Sequence, residues 1–461
     1  MSELKAYLER AAGRFEEDLC ALLRIPSISA DGAYAASVTE AARWVAARFE
    51  AMGLPAEVIE AEELGISGYP LVYAETPPVE GAPTVLVYGH YDVQPVDPVE
   101  LWDAPPFEPT RRGENIVARG ATDDKGQMLT HLMSTEAWLR AEGRLPVQLK
   151  FIIEGEEEVG GRVLSTYLER HADRLACDCV VISDGAQFAP DVPAICYGLR
   201  GIAYYELRLR GPKRDLHSGS FGGTVTNPVN ALTQMLAALV DAEGRVQVPG
   251  FYDDVVPVSD EERRRLAELP FDEQSYLREV GVEATAAGES GYSLLERRWC
   301  RPTFDLTGIW GGYAGEGAKT VLPSTAGAKL SFRLVPHQDP SKIGQALRDY
   351  LGRHCPAGIE MELIDMHCSP GVLVSPESPY VEAASRAIET AFGRRPVLTR
   401  EGGSIPIVAE LAEHLKADVL LLGWGQNDDN THSPNEKFSL RDFHRAIHAS
   451  AMLWGELAAM G

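Results

Sequence analysis

Five short stretches of the chain carry side chains able to hold a divalent cation. They are His90 in Gly89-His-Tyr-Asp92, Asp123 in Arg119-Gly-Ala-Thr-Asp-Asp-Lys-Gly126, Glu157 or Glu158 in Glu154-Gly-Glu-Glu-Glu158, Asp184 after Ser183, and His432 in Thr431-His-Ser433. Two imidazoles and three carboxylates suit borderline ions such as zinc or manganese. Five ligands exceed what one tetrahedral zinc with an open position needs, but they serve two ions if one carboxylate bridges. A site of this kind activates water for hydrolysis. Without cations the acids repel: at ~5 Å and an effective dielectric of ~20, one like-charged pair costs roughly 3 kcal/mol. Each stretch alone has a plainer reading. Asp123-Asp124 suits a helix cap, residues 156–158 a solvated charge run, and Asp184 before Gly185 a turn. The recurrence of one chemistry at five places favours the cation.

The elements that must position these residues follow from the pattern around them. Residues 83–88 form a continuous apolar run, expected of a strand buried on both faces, and end at Gly89-His90. Residues 147–153 run as a strand into the Glu stretch, 178–182 into Ser183-Asp184, and 419–423 lead towards His432. A short strand over 114–119 precedes Asp123, and a helix over 125–141 follows it, with Met128, Leu129, Leu132, Met133, Ala137 and Leu139 on its apolar face. Further helices are expected over 2–23, 38–52, 163–175, 379–392 and 440–460, and antiparallel strands over 56–60 and 70–73. Strands and helices that alternate, with ligands at successive strand ends, describe an α/β sheet with one functional edge.

The character changes near Gly201. Residues 203–210 and 327–335 alternate with period two, as half-exposed antiparallel strands do. Helices are expected over 230–242 and 342–353, and 253–287 is acidic and loop-rich. The chain therefore reads as a first domain over 1–200 and 379–461, with an α+β domain over 201–378 inserted into it.

Composition bounds the partners. The 461 residues carry a formal net charge of −25, which argues against nucleic acid, because phosphate binding needs a basic footprint. A 45% hydrophobic content allows a full core, and no apolar run reaches membrane-spanning length. The opening Met1-Ser-Glu-Leu-Lys5 reads as an amphipathic helix and not as a signal peptide. Seven irregularly spaced cysteines read as buried free thiols. Together these describe a cytoplasmic protein with no membrane partner.

The five motifs resemble those of the aminoacylase/carnosine-dipeptidase family of dinuclear zinc metallopeptidases, and within it the cytosolic non-specific, carnosine-type dipeptidases. The resemblance extends into the middle block through Asp215-Leu-His-Ser-Gly219, Asp305-Leu-Thr-Gly-Ile-Trp310, Gly317-Ala-Lys-Thr-Val-Leu-Pro323 and Phe332-Arg-Leu-Val-Pro336. It implies a mixed-sheet catalytic domain of zinc-aminopeptidase type, with helices on both faces, and an inserted lid/dimerisation domain. It implies two divalent ions per subunit, zinc or alternatively manganese. His90 and Asp184 would hold one ion and Glu158 and His432 the other. Asp123 would bridge them and precede a cis peptide to Asp124. Asp92 would steady His90. Glu157 would be the general base that takes a proton from a water between the metals and returns it to the leaving amine.

The resemblance further assigns oxyanion support to His217 from the second subunit of a homodimer built through the inserted domain. It assigns substrate binding to Arg333, on the terminal carboxylate, and to Thr320, Gly403 and Ser404. Asp184, where family carboxypeptidases and desuccinylases carry Glu, leans the activity towards small dipeptides. The rivals are an N-acyl-amino-acid amidohydrolase or desuccinylase acting on acyl amino acids, a binding protein whose catalysis has decayed, and a dinuclear phosphatase.

Overall fold

Four strands of the largest sheet run parallel and side by side, in the order Gln148–Glu154, Thr84–His90, Cys179–Ile182 and Asp418–Gly423. A computed structural model describes residues 2–285 and 287–460; residue 286, in the loop-rich stretch, lies outside them, as do residues 1 and 461. Antiparallel strands Leu71–Glu75 and Ala56–Ile59 extend the sheet on one side and Ala194–Leu199 on the other, which makes it mixed. Every residue from Val85 to His90 is buried, so this strand meets solvent on neither face, as its unbroken apolar run requires. Among the described residues no helix is long and apolar enough to cross a membrane.

The helix Lys125–Glu142 carries the Asp123 turn at its start. It packs against the helices Ser2–Leu23 and Leu440–Ala458 and the strand Thr84–His90, and every residue from Lys125 to Ala137 is buried. A helix buried all round needs partners for its polar groups. Ser134 accepts the Trp454 indole N–H at 2.9 Å, and the Lys125 ammonium donates to the carbonyls of Leu22 and Ile25, the last at 2.6 Å. That cation sits where the end of helix Ser2–Leu23 leaves its carbonyls unpaired. Burial lowers the Lys125 pKa to about 7.

The chain divides into two compact units: residues 1–197, 374–399 and 410–461 form one, and 198–373 and 400–409 the other. The pattern change near Gly201 lies at this division. Residues 400–409 group with the inserted unit, where Ser404 Oγ donates to the Arg200 carbonyl at 2.5 Å. In that unit four antiparallel strands lie in the order Thr303–Gly311, Thr325–Leu334, Gly201–Arg210 and Glu360–Ser369. Ala203, Tyr205, Leu207 and Leu209 alternate into a core shared with the helices Pro228–Ala237 and Pro340–His354.

Several expectations are corrected. The helix expected over 230–242 is Pro228–Ala237, capped by Asn227 on the Val229 N–H at 2.9 Å; beyond it Val240 bridges Val246 across a turn. Glu360–Ser369 carries more exposed than buried positions, and its weak alternation hid it from a pattern reading. All seven cysteines are free, but only Cys179 and Cys300 are buried and Cys368 is exposed.

Gly126 shows how tightly the turn is packed: a Cβ there would lie 1.9 Å from the Ala121 carbonyl oxygen and 2.7 Å from the Phe438 ring. Gly126→Ala is expected to lower stability by about 1–3 kcal/mol or more. Chemical unfolding of the metal-free protein checks this, and an unchanged midpoint would contradict it.

Candidate metal centre

The parallel strands bring the sequence-derived ligands to one edge. His90 closes Thr84–His90, Glu157 and Glu158 open a short turn after Gln148–Glu154, Asp184 follows Cys179–Ile182, and His432 lies beyond Asp418–Gly423. This is the carboxyl edge at which open α/β sheets bind ligands. His90, Asp123 and Asp184 present ligand atoms all within 4.8 Å of one another, and so do Asp123, Glu158 and His432. Asp123 belongs to both groups and uses a different oxygen for each. Its Oδ1 lies 3.2 Å from His90 Nε2, and its Oδ2 lies 2.8 Å from His432 Nε2. Asp184 Oδ2 is 3.9 Å from His90 Nε2, and Glu158 Oε2 is 3.3 Å from His432 Nε2. The Asp123–Asp124 peptide is cis.

The neighbours orient these ligands. His90 Nδ1 lies 3.1 Å from the Asp92 carbonyl and 3.3 Å from its Oδ1. Asp92 Oδ2 accepts the Ser29 hydroxyl at 2.6 Å and the Glu158 N–H at 3.2 Å. Gln94 donates to Glu158 Oε2 at 2.7 Å. His131 Nε2 meets Ser183 Oγ at 2.8 Å, one residue before Asp184. Ser29, Gln94 and His131 were not singled out from the sequence. Their signal was slight: Ser29 ends a Pro-containing break after a helix, and the other two are single polar residues.

Among the three consecutive acids the structure separates the tasks. Glu156 accepts the backbone N–H groups of Tyr69 at 3.0 Å and Val163 at 3.3 Å and so ties down the loop. Glu158 joins a cation group, and Glu157 is half-buried between them.

The donor set fits two cations. His90 is fully buried, and its Nε2 has no hydrogen-bond partner although it faces two carboxylates. A lone pair aimed at anionic oxygens is stable only if a cation or a proton lies between them. In the metal-free site protons take that place. Hydrogen bonding to Asp123, then to Glu158, raises the His432 pKa to about 10. Burial would lower the His90 pKa, but Asp123 and Asp92 outweigh it and hold the imidazole well above its usual value. Burial, then the Asp123 charge, pushes Asp184 up to about 7. Burial raises Glu157 to about 9, with Asp184 and Glu158 adding to it against the pull of His90. His90 is 0% exposed, whereas the His432 side chain is 55% exposed.

The other sequence-derived residues lie in the inserted unit and form two clusters. Leu216–His217 pairs with Val321–Leu322, and the Ser218 N–H donates to the Thr320 carbonyl at 3.0 Å, so His217 and Thr320 are neighbours. Both are exposed. Arg333 Nη1 donates to Ser404 Oγ at 3.0 Å, beside Gly403.

A mixed α/β sheet whose carboxyl edge gathers two ligand groups around a shared carboxylate defines a metallohydrolase scaffold. The chain belongs to peptidase family M20/M25/M40, whose model matches residues 86–455. It is 32% identical to the Cys-Gly metallodipeptidase dug1 of Schizosaccharomyces pombe over 475 aligned positions, covering 100% of this chain and 99% of that protein. It is 34% identical to the Beta-Ala-His dipeptidase of Homo sapiens, covering 85% of this chain and 78% of that protein. Among solved structures it resembles the M20 family metallo-carboxypeptidase Sso-CP2 of Sulfolobus solfataricus, with a TM-score of 0.85 and 33% identity over 96% of this chain and 99% of that one.

The protonation pattern sets the sign of a pH effect. His432 and His90 carry protons at neutral pH in the metal-free site, Asp184 is near half-protonated, and all three must lose them to ligate. Cation affinity is expected to rise steadily from pH 6 to pH 8, with more than about one proton released per pair of ions bound. Calorimetric titration in buffers of different ionisation heat measures that release; an affinity independent of pH would contradict it.

Proposed function

We propose that the protein is a metal-dependent dipeptidase, which hydrolyses the peptide bond of small dipeptides with a free terminal carboxylate. One observation carries the reading: Asp123 turns one oxygen to each of two imidazoles, so a single carboxylate serves two ligand groups. His90 and Asp184 would hold one cation, Glu158 and His432 the other, and Asp123 both. When bound, the pair supplies Lewis acidity to the scissile carbonyl and to the attacking water. The donor set suits zinc, and also manganese.

The chain's own residues do the rest. Glu157 lies half-buried beside the ligand carboxylates, and bound cations would offset the like charges that raise its pKa and restore its carboxylate, which takes a proton from the water and delivers it to the leaving amine nitrogen. Asp92 fixes the His90 ring through Nδ1. Arg333 presents a guanidinium already hydrogen-bonded to Ser404, a pairing suited to bidentate capture of a carboxylate, with Gly403 and Thr320 completing substrate contact. Relatives that bear the names of Cys-Gly and Beta-Ala-His dipeptidases, covered to 99% and 78% of their own lengths, support this substrate class over acyl amino acids.

A homodimer through the inserted unit is part of the reading. Among the described residues, strand Thr303–Gly311 is paired on one side only, and it exposes Leu306, Ile309 and Trp310 by 46%, 59% and 42%. An unpaired apolar edge is a template for a second strand. His217, exposed in this unit, would stabilise the oxyanion in the partner's site. The free thiols, one of them exposed, suit a reducing, cytoplasmic setting.

Turnover by the metal-reconstituted protein tests the reading. Free dipeptides should be cleaved, and their C-terminal amides at least about tenfold more slowly, the cost of losing one charge-assisted contact. Preference for N-acyl amino acids would favour the amidohydrolase instead. Glu157→Gln should keep both cations and lose roughly a hundred- to ten-thousand-fold in kcat; wild-type rates would reject its role. Sedimentation of a Leu306→Glu, Ile309→Glu double variant should show a monomer where the wild type is a dimer, and a monomeric wild type would end the dimer reading.

A further inference from the structure

The loop that carries His432 ends in Glu436, a residue with no assigned task. Its side chain is fully buried, and its two oxygens accept four N–H groups. Oε2 takes Arg119 Nη1 at 2.8 Å and the Gly120 N–H at 2.9 Å. Oε1 takes the N–H groups of Thr122 at 2.9 Å and Asp123 at 3.1 Å. The whole turn that presents Asp123 is thus wrapped around one carboxylate. The same turn is fastened to the His432 loop at further points. Ala118 N–H donates to the Glu436 carbonyl at 3.0 Å, and Thr122 Oγ1 lies 2.6 Å from the Lys437 carbonyl and 2.9 Å from Asp429 Oδ2.

We infer that Glu436 is a positioning residue for both cation sites: it sets the backbone of the shared ligand Asp123 and joins that turn to the loop of His432. The geometry demands a carboxylate. Each oxygen meets two donors, so a glutamine of the same shape would turn its own NH2 group towards two N–H groups whichever way it flipped. An aspartate keeps the charge but is one methylene too short to reach all four donors. Because Asp123 serves both ligand groups, a shift of its backbone weakens both cations together, whereas loss of a ligand such as Asp184 weakens one.

The inference rests on the reading of these residues as cation ligands, and the test separates the two. Zinc is titrated into metal-free wild type, Glu436→Gln and Glu436→Asp by competition with a chromophoric chelator, and the thermal midpoint of each metal-free protein is recorded beside it. Two equivalents are expected for the wild type; fewer would reject the ligand reading itself. Glu436→Gln is expected to weaken both binding steps by roughly ten- to a hundredfold, the usual effect of losing a partner that orients a ligand, and Glu436→Asp by less. Wild-type affinity in folded Glu436→Gln would overturn the inference, as would weakening of one step alone. If Glu436→Gln does not fold, Glu436→Asp decides: wild-type affinity at both steps overturns the inference, and joint weakening supports it. A lowered midpoint with unchanged affinities marks a merely structural residue and overturns it as well.

Discussion

A carboxylate taken out of water keeps its charge only where N–H donors or positive charge meet it. The acids at the carboxyl edge of the sheet divide by how that demand is met. Glu436 has four N–H groups, Glu156 two backbone N–H groups, and Asp92 a hydroxyl and a backbone N–H. Asp123, Asp184 and Glu158 are the ones left facing each other and two imidazoles. The acids that take backbone N–H groups hold the backbone in place; of the three that form the site, Glu158 takes the Gln94 side-chain amide instead. Position in the hydrogen-bond network therefore separates scaffold from ligand among residues of one chemical type.

The fold supplies the convergence. Four parallel strands end together, which places residues far apart along the chain on a single edge. The buried helix Lys125–Glu142 fixes the fifth element behind them, and the short strand Lys437–Ser439 pairs with Asn115–Val117 to return the last loop to the Asp123 turn. Rigid elements carry every ligand up to its last few residues. The loop of His432 is the most irregular part: Asn430, His432 and Asn435 all take left-handed backbone conformations, rare for residues with a side chain. Such conformations persist where surrounding contacts over-determine them.

Much of this was legible in the sequence because long apolar runs and strand-end acids are local signals. Residues 83–88, 147–153 and 178–182 announced buried strands, and His90, the Glu156–Glu158 run and Asp184 followed directly from where those runs stop. What escaped was non-local. Nothing beside Ser29 or Gln94 shows that their side chains reach Asp92 and Glu158, because the partners lie more than sixty positions away. Glu436 stands four residues after His432, yet its role depends on donors over three hundred positions distant. The strand Glu360–Ser369 was missed for a different reason: its exposed positions outnumber its buried ones, so no clean alternation marked it.

The unequal exposure of the two imidazoles bears on how the centre is loaded. His90 is sealed, while more than half of the His432 side chain is open to water. An ion held by His432 would have a ligand in contact with the bulk, whereas the His90 imidazole would meet its ion from inside the fold. Exchange through the exposed imidazole would empty and refill the His432 position before the other, and partial stripping would then leave a half-filled species.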